Sequence, residues 1–91
     1  MLIEEFIEYL NNQKNKDIIL ELKGIIETTI KIKHIEIEEM DKYLTIKSEE
    51  NKEQKIKINL HQLMKIDKIN EDEFLLEFDQ LQTIKIKLFS I

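Results

Sequence analysis

The chain has 91 residues, which suits a single domain, because independent domains usually have about 50 residues or more. It contains no cysteine, which excludes a disulfide framework and a thiol nucleophile. Its formal net charge of -5 argues against broad, charge-driven attraction to nucleic acid or anionic membranes and favours protein partners.

The N-terminal segment has the apolar periodicity of a helix. Four residues share the i, i+3, i+4, i+7 spacing of one helix face: Ile3, Phe6, Ile7 and Leu10. Glu4 and Glu5 suit the positive end of a helix dipole, and Lys14 suits its negative end. The pattern predicts an amphipathic helix over residues 1–13.

The apolar spacing changes from about 3.6 to 2 after the helix, which is typical of β-strands. Leu20 and Leu22 alternate with charged residues up to Gly24, so the first strand is expected to end there in a turn. The following stretch has Ile26, Thr28, Ile30 and Ile32 on one face, and then Ile35 and Ile37 with the opposite parity. A parity change needs a bend or a bulge, which we expect near Lys33 and His34. One long bent strand is favoured, with two separate strands as the alternative.

The rest of the chain alternates predicted strands with polar connections. Strands are expected over residues 43–48, 55–60, 73–78 and 83–88. Residues 48–54 read as a solvated loop, residues 61–64 have the spacing of a single helical turn, and residues 69–73 read as an acidic loop. The last two strands are expected to form a hairpin around residues 79–82.

These elements predict a single α+β domain over residues 1–91, with a helix (1–13) followed by an antiparallel β meander (17–91) of six or seven short strands. The connections are too short for helical crossovers, which favours antiparallel pairing. The expected architecture is a small twisted sheet or an SH3-like or Sm-like barrel.

Neither histidine has partners that indicate catalysis. His34 and His61 lack a serine or aspartate at motif spacing, and no HxH or HExxH pattern is present. The acidic stretches lack the central glycine of a calcium loop, because Gly24 is the sole glycine. We therefore expect no enzyme activity, no metal site and no cofactor.

Two sets of charged residues are candidate binding surfaces. The acidic set lies around the turn at residues 39–42 and comprises Glu36, Glu38, Glu39 and Asp41. The basic set consists of lysines on the exterior of predicted strands: Lys31, Lys33, Lys55, Lys57, Lys85 and Lys87. If their strands are neighbours, these lysines form a basic face that suits RNA, DNA or an acidic protein.

The element order resembles the Sm-like class of small barrels, which form rings and bind RNA. The resemblance covers about residues 2–69 and includes the strand-turn-strand segment IKINLHQLMKID. It implies RNA binding on the lysine face as an alternative function. Bacterial ring-forming members carry a lysine-histidine pair before the last strand, where this chain has Leu60 and His61.

The leading hypothesis is a non-enzymatic protein-interaction module that binds a larger partner, with the acidic set imitating nucleic acid. Abundant Ile, Lys, Asn and Glu are typical of AT-rich genomes, which favours an inhibitor, immunity or accessory protein of a phage or mobile element. Ile-rich strands in so small a domain favour a homo-oligomer, specifically a dimer. Without a signal peptide or a long uncharged apolar run, a cytoplasmic location and no membrane contact are expected.

Overall fold

The computed structural model describes residues 1–13, 16–24, 27–51 and 53–89. These residues form one α-helix, α1 (Ile3–Asn11), eight β-strands and a 3₁₀ turn (Asp79–Leu81). The strands are β1 (Asp17–Lys23), β2 (Thr28–Ile32), β3 (Ile35–Met40), β4 (Tyr43–Ser48), β5 (Lys55–Asn59), β6 (Leu63–Asn70), β7 (Glu73–Phe78) and β8 (Thr83–Phe89). The predicted helix-closing Lys14, the predicted inward Ile26 and the last two positions of the predicted meander lie outside the described residues.

The strands form two antiparallel sheets. The five-stranded sheet has the order β2-β1-β8-β7-β6, and the three-stranded sheet has the order β3-β4-β5. The predicted α+β class is therefore confirmed. The predicted number of six or seven strands is too low, because the described part of the chain has eight, and these strands do not form one closed barrel.

The segment predicted as a helical turn begins strand β6 instead. Leu63 pairs with Phe78 and Ile66 pairs with Leu76, both on β7. A one-turn spacing is a weak local signal, and pairing with a long neighbouring strand overrides it. The same strand extends through Ile69 and Asn70, so the predicted acidic loop shortens to the turn at residues 71–72.

The predicted parity change is confirmed at residues 33–34, where β2 ends in one sheet and β3 begins in the other. His34 has a positive φ of 50°, and its backbone N–H donates to Asp17 Oδ1 at 3.0 Å. The buried Ser48 hydroxyl donates to the Lys33 carbonyl at 2.8 Å. These two side chains form hydrogen bonds with backbone groups of the bend, which are not paired within either sheet. The chain therefore forms two separate strands here and not the favoured single long strand.

The core lies between the apolar faces of the two sheets. Its fully buried side chains come from α1 and both sheets and include Phe6, Leu10, Ile18, Leu20, Ile32, Leu44, Ile46, Phe74, Leu76 and Ile86. Alternation along each strand directs these residues inward and the charged residues outward. The two sheets are held together by this apolar core, and the chain has no cysteine that could form a disulfide.

Helix α1 closes one end of the two-sheet core. The Phe6 ring meets Phe74 edge to face with centroids 5.3 Å apart, and Tyr9 meets the same ring at 5.1 Å. The Tyr9 hydroxyl donates to the Glu71 carbonyl in the β6–β7 turn. Burial and the nearby carboxylates of Asp72 and Glu71 raise the pKa of Tyr9, which keeps this donor protonated.

Replacing Phe6 with alanine is expected to lower the free energy of unfolding by about 3–5 kcal/mol, because the ring is fully buried against Phe74 and leaves a cavity. Urea denaturation followed by circular dichroism measures the change. Glu8→Ala, on the exposed face of the same helix, is the control and is expected to change stability by about 0.5 kcal/mol or less. Equal stability of Phe6→Ala and the parent would show that α1 is not part of the folded unit.

Candidate functional site

The predicted acidic residues do not share one face. Glu36 and Glu38 lie on the outer face of β3, Glu39 has the opposite parity, and Asp41 lies in the β3–β4 turn with φ 53°. The Glu38 carboxylate is 2.6 Å from Lys47 Nζ on the adjacent strand. The hydrogen bond and charge of Lys47 lower the pKa of Glu38. The negative charge on this face is therefore partly neutralised.

The predicted basic residues lie on two different sheets. Lys31 and Lys87 lie on the outer face of the five-stranded sheet on either side of Ile19, and Lys85 is one row away. Lys33 lies in the bend between the sheets. Lys55 and Lys57 lie on the outer face of the three-stranded sheet. Only three of the six lysines thus share one sheet face.

That sheet face alternates positive and negative charge. The Lys85 ammonium is 2.7 Å from Glu73 Oε1, and Lys87 is paired in register with the same Glu73. Lys85 is also in register with Glu21 on β1. The hydrogen bond from Lys85 lowers the pKa of Glu73, and the same bond raises the pKa of Lys85. This neighbourhood stabilises the sheet and weakens its attraction for phosphates.

The Glu73–Lys85 pair predicts a pH dependence of stability. Because folding lowers the pKa of Glu73, the pair stabilises the protein above the ordinary carboxyl pKa of about 4.3, and the contribution is lost as the pH falls through the lowered value. Glu73→Gln is therefore expected to be less stable than the parent at neutral pH, with the difference disappearing in strong acid. Chemical denaturation across the acid range measures it.

Glu77→Gln is the matched control for this experiment, because Glu77 lies on the same strand and has no ion pair among the described residues. An unchanged stability difference between Glu73→Gln and the parent at all pH values would contradict the assignment of the pair.

A cleft of about 430 Å³ lies at the end of the molecule opposite α1. On β7, Phe74 contacts the helix at the start of the strand, whereas Phe78 lines the cleft at its end. The lining residues come from the strand ends and turns that meet there: Leu22, Lys23, Gly24, Tyr43, Lys57, Ile58, Asn59, Gln62, Phe78, Gln82, Thr83 and Ile84. The volume falls within the range of about 300–1,000 Å³ that is usual for ligand pockets.

The cleft has an apolar interior and a polar margin. Leu22, Phe78 and Ile84 face the core side of the five-stranded sheet, and Ile58 faces them from β5. The charged side chains among the described lining residues are lysines, Lys23 and Lys57, and no carboxylate is among them. The remaining polar side chains carry amides or hydroxyls. This arrangement suits a ligand that is apolar in part and anionic at its edge.

Tyr43 lies between two cations at the margin of the cleft. Lys42 Nζ is 5.7 Å and Lys57 Nζ is 5.8 Å from the centre of its ring. Each distance allows a cation–π attraction to the ring face. The ring therefore holds two positive charges near the cleft entrance.

Gly24 allows the ends of β1 and β8 to meet at the cleft. Its φ is +151°, a conformation that residues with a side chain rarely adopt, and a Cβ atom there would lie 2.8 Å from Gln82 Cγ. The close contact between Gly24 and Gln82 forms one side of the cleft. The sequence signal was the isolated glycine, which indicated a turn but not a close contact.

Gly24→Ala is expected to lower the free energy of unfolding by about 1–3 kcal/mol, because the new methyl group is strained by φ and collides with Gln82. Adding Gln82→Ala removes the colliding Cγ but keeps the backbone strain, so the double variant is expected to lose less than the sum of the two single variants. Thermal and urea unfolding measure both. Strict additivity would contradict the contact.

Two exposed apolar side chains are adjacent to residues that line the cleft. Leu81 is 93% exposed in the 3₁₀ turn that precedes the lining residue Gln82. Met40 is 63% exposed and is paired in register with Tyr43 across the β3–β4 turn. We call Met40, Tyr43 and Leu81 the apolar rim. Local spacing does not indicate this rim, since its residues come from two separate turns.

Neither histidine is among the described residues that line the cleft. His34 Nε2 is 3.2 Å from Glu50 Oε1 beside the bend, and His61 is exposed. Within residues 1–13, 16–24, 27–51 and 53–89, no cluster of His, Asp and Glu has the geometry of a metal site. The same residues contain no helix with the length and apolar character that a membrane crossing requires.

The chain matches no family model, no curated protein and no solved structure.

Proposed function

We propose that the protein is a non-catalytic interaction module that binds a larger protein partner at its open end. The observation that carries this proposal is the cleft opposite α1 together with the exposed apolar rim around it. Apolar side chains grouped around a concave surface are a common feature of protein-binding sites. Inhibitor, immunity and accessory proteins act by such binding, and this class fits the proposal.

The position of the cleft supports a docking role. The opposite end of the core is closed by aromatic packing of Phe6 and Tyr9 on Phe74. Near the cleft, Met40 and Leu81 are exposed and Tyr43 is 37% exposed. A partner that covers these side chains removes apolar surface from water, which contributes about 25 cal/mol per Å² buried.

The charged faces support other partners less well. An Sm-like barrel that binds RNA would use Lys31, Lys85 and Lys87, but Lys85 is held by Glu73 and Lys87 is in register with the same carboxylate. A nucleic-acid mimic would use Glu36 and Glu38, but Lys47 neutralises Glu38. In the apolar rim, by contrast, the side chains of Met40 and Leu81 are exposed and can be covered by a partner.

Charge insertion at the rim tests the proposal. Met40→Asp and Leu81→Asp are each expected to reduce recovery of the partner from the native host by about tenfold or more, because a carboxylate must then be buried in the interface. Affinity purification with quantitative mass spectrometry measures the recovery. Both positions are exposed, so circular dichroism and thermal stability are expected to remain unchanged.

Ile69→Asp is the matched control, because Ile69 is 51% exposed on the edge strand β6, away from the cleft. Partner recovery that falls for Ile69→Asp but not for the rim variants would overturn the proposal and move the interface to that edge.

Light scattering of the rim variants tests the proposed homodimer: a mass that falls from two chains to one would identify the partner at the rim as a second copy.

A further inference from the structure

The cleft has lysines at its margin and no carboxylate among its described lining residues. Lys47, Lys65, Lys68 and Lys85 each lie within 4.0 Å of a carboxylate. Lys23, Lys42 and Lys57 have no ion pair with any described residue. All three lie at the cleft or beside Tyr43 at its margin. Other described lysines, such as Lys31, Lys55 and Lys87, also have no ion pair with any described residue, but they do not line the cleft.

We infer that the cleft recognises a short segment of the partner in which an apolar side chain is flanked by carboxylates. This inference rests on the proposed function and specifies the chemistry of the segment that it binds. The apolar side chain enters between Leu22, Ile58 and Phe78, and the carboxylates accept hydrogen bonds from the lysine ammonium groups at the margin.

Charge complementarity selects this occupant over a basic or neutral one. A basic segment would meet Lys23 and Lys57 with no carboxylate among the described lining residues to receive it. A neutral apolar segment would leave those ammonium groups partly desolvated and without a partner, which is unfavourable. An acidic flank supplies that partner and also meets the two cations on Tyr43.

The geometry of the margin favours a peptide segment. The cleft opens where the ends of separate strands meet. Asn59, Gln62 and Gln82 place amide groups along the margin, and amides donate to and accept from a peptide backbone. The rim residues Met40 and Leu81 then cover the flanking side chains of the segment.

Two synthetic peptides test the inference directly. Both are acetylated and amidated; one has the sequence Glu-Leu-Glu and the other has Gln-Leu-Gln, which keeps size and apolar content but removes the charge. Titration of the isotope-labelled protein is followed by NMR. We expect the acidic peptide to shift the amide signals of Gly24, Tyr43 and Gln82, to bind at least about tenfold more tightly than the neutral peptide, and to weaken as salt increases.

The double variant Lys23→Gln with Lys57→Gln is expected to remove this preference for the acidic peptide. The control pair, Lys31→Gln with Lys87→Gln, makes the same change in net charge on the outer face of the five-stranded sheet and is expected to leave it intact. Equal binding of the two peptides, or amide shifts confined to residues outside the cleft, would overturn the inference.

Partner recovery with the same double variants separates the two proposals. If rim variants lose the host partner while Lys23→Gln with Lys57→Gln retains it at the parent level, the open end is the interface and the acidic-segment inference is wrong. If neither the rim nor the cleft variants affect recovery, the proposed function itself is wrong. Loss of recovery with both sets, together with the peptide preference, supports both.

Discussion

The bend at Lys33 and His34 is the constraint on which the arrangement of the strands depends. It passes the chain directly from the five-stranded sheet into the three-stranded sheet, where backbone groups leave one ladder before they join the next. Asp17 and Ser48 accept and donate the hydrogen bonds that would otherwise be missing, and Ser48 is only 1% exposed. The Ile35 N–H then donates to the Lys16 carbonyl at 2.9 Å, which fixes β3 beside the start of β1. With that edge fixed, the two apolar faces can close on each other.

The two ends of this core differ because the single helix, α1, covers one end and leaves the other end open. Aromatic contacts of α1 with Phe74 fill the end at the β6–β7 turn, and the other end remains lined by Leu22, Ile58 and Phe78. Electrostatics differ in the same direction. On the sheet faces, strand pairing brings Glu73 diagonally opposite Lys85 and Glu38 diagonally opposite Lys47. The described lining of the cleft instead has lysines and no carboxylate. The cleft thus combines an apolar interior with two lysines and no carboxylate among its described lining residues.

The sequence was informative where one local period decided the structure. The spacing of Ile3, Phe6, Ile7 and Leu10 located α1, and the change of parity between Ile32 and Ile35 located the bend to within two residues. It misled at residues 61–64, where pairing of Leu63 with Phe78 outweighed a one-turn spacing. The cleft could not be predicted from local sequence patterns. Lys57, which lines it, and Lys85, which forms an ion pair, occupy the same kind of position in an alternating strand. Only the strand pairing places Lys85 diagonally opposite Glu73, whereas Lys57 is in register with Thr45.

Pairing of β1 with β8 governs how the chain folds as it is synthesised. β1 emerges early, yet one of its two neighbours in the sheet is the last strand of the described chain. Until residues 83–89 leave the ribosome, Ile18 and Leu20 have cover from β2 on one side only. Contacts between such distant parts of a chain form slowly, and apolar strands that are exposed in the meantime are prone to aggregation. Completion of the five-stranded sheet therefore waits until β8 has been synthesised.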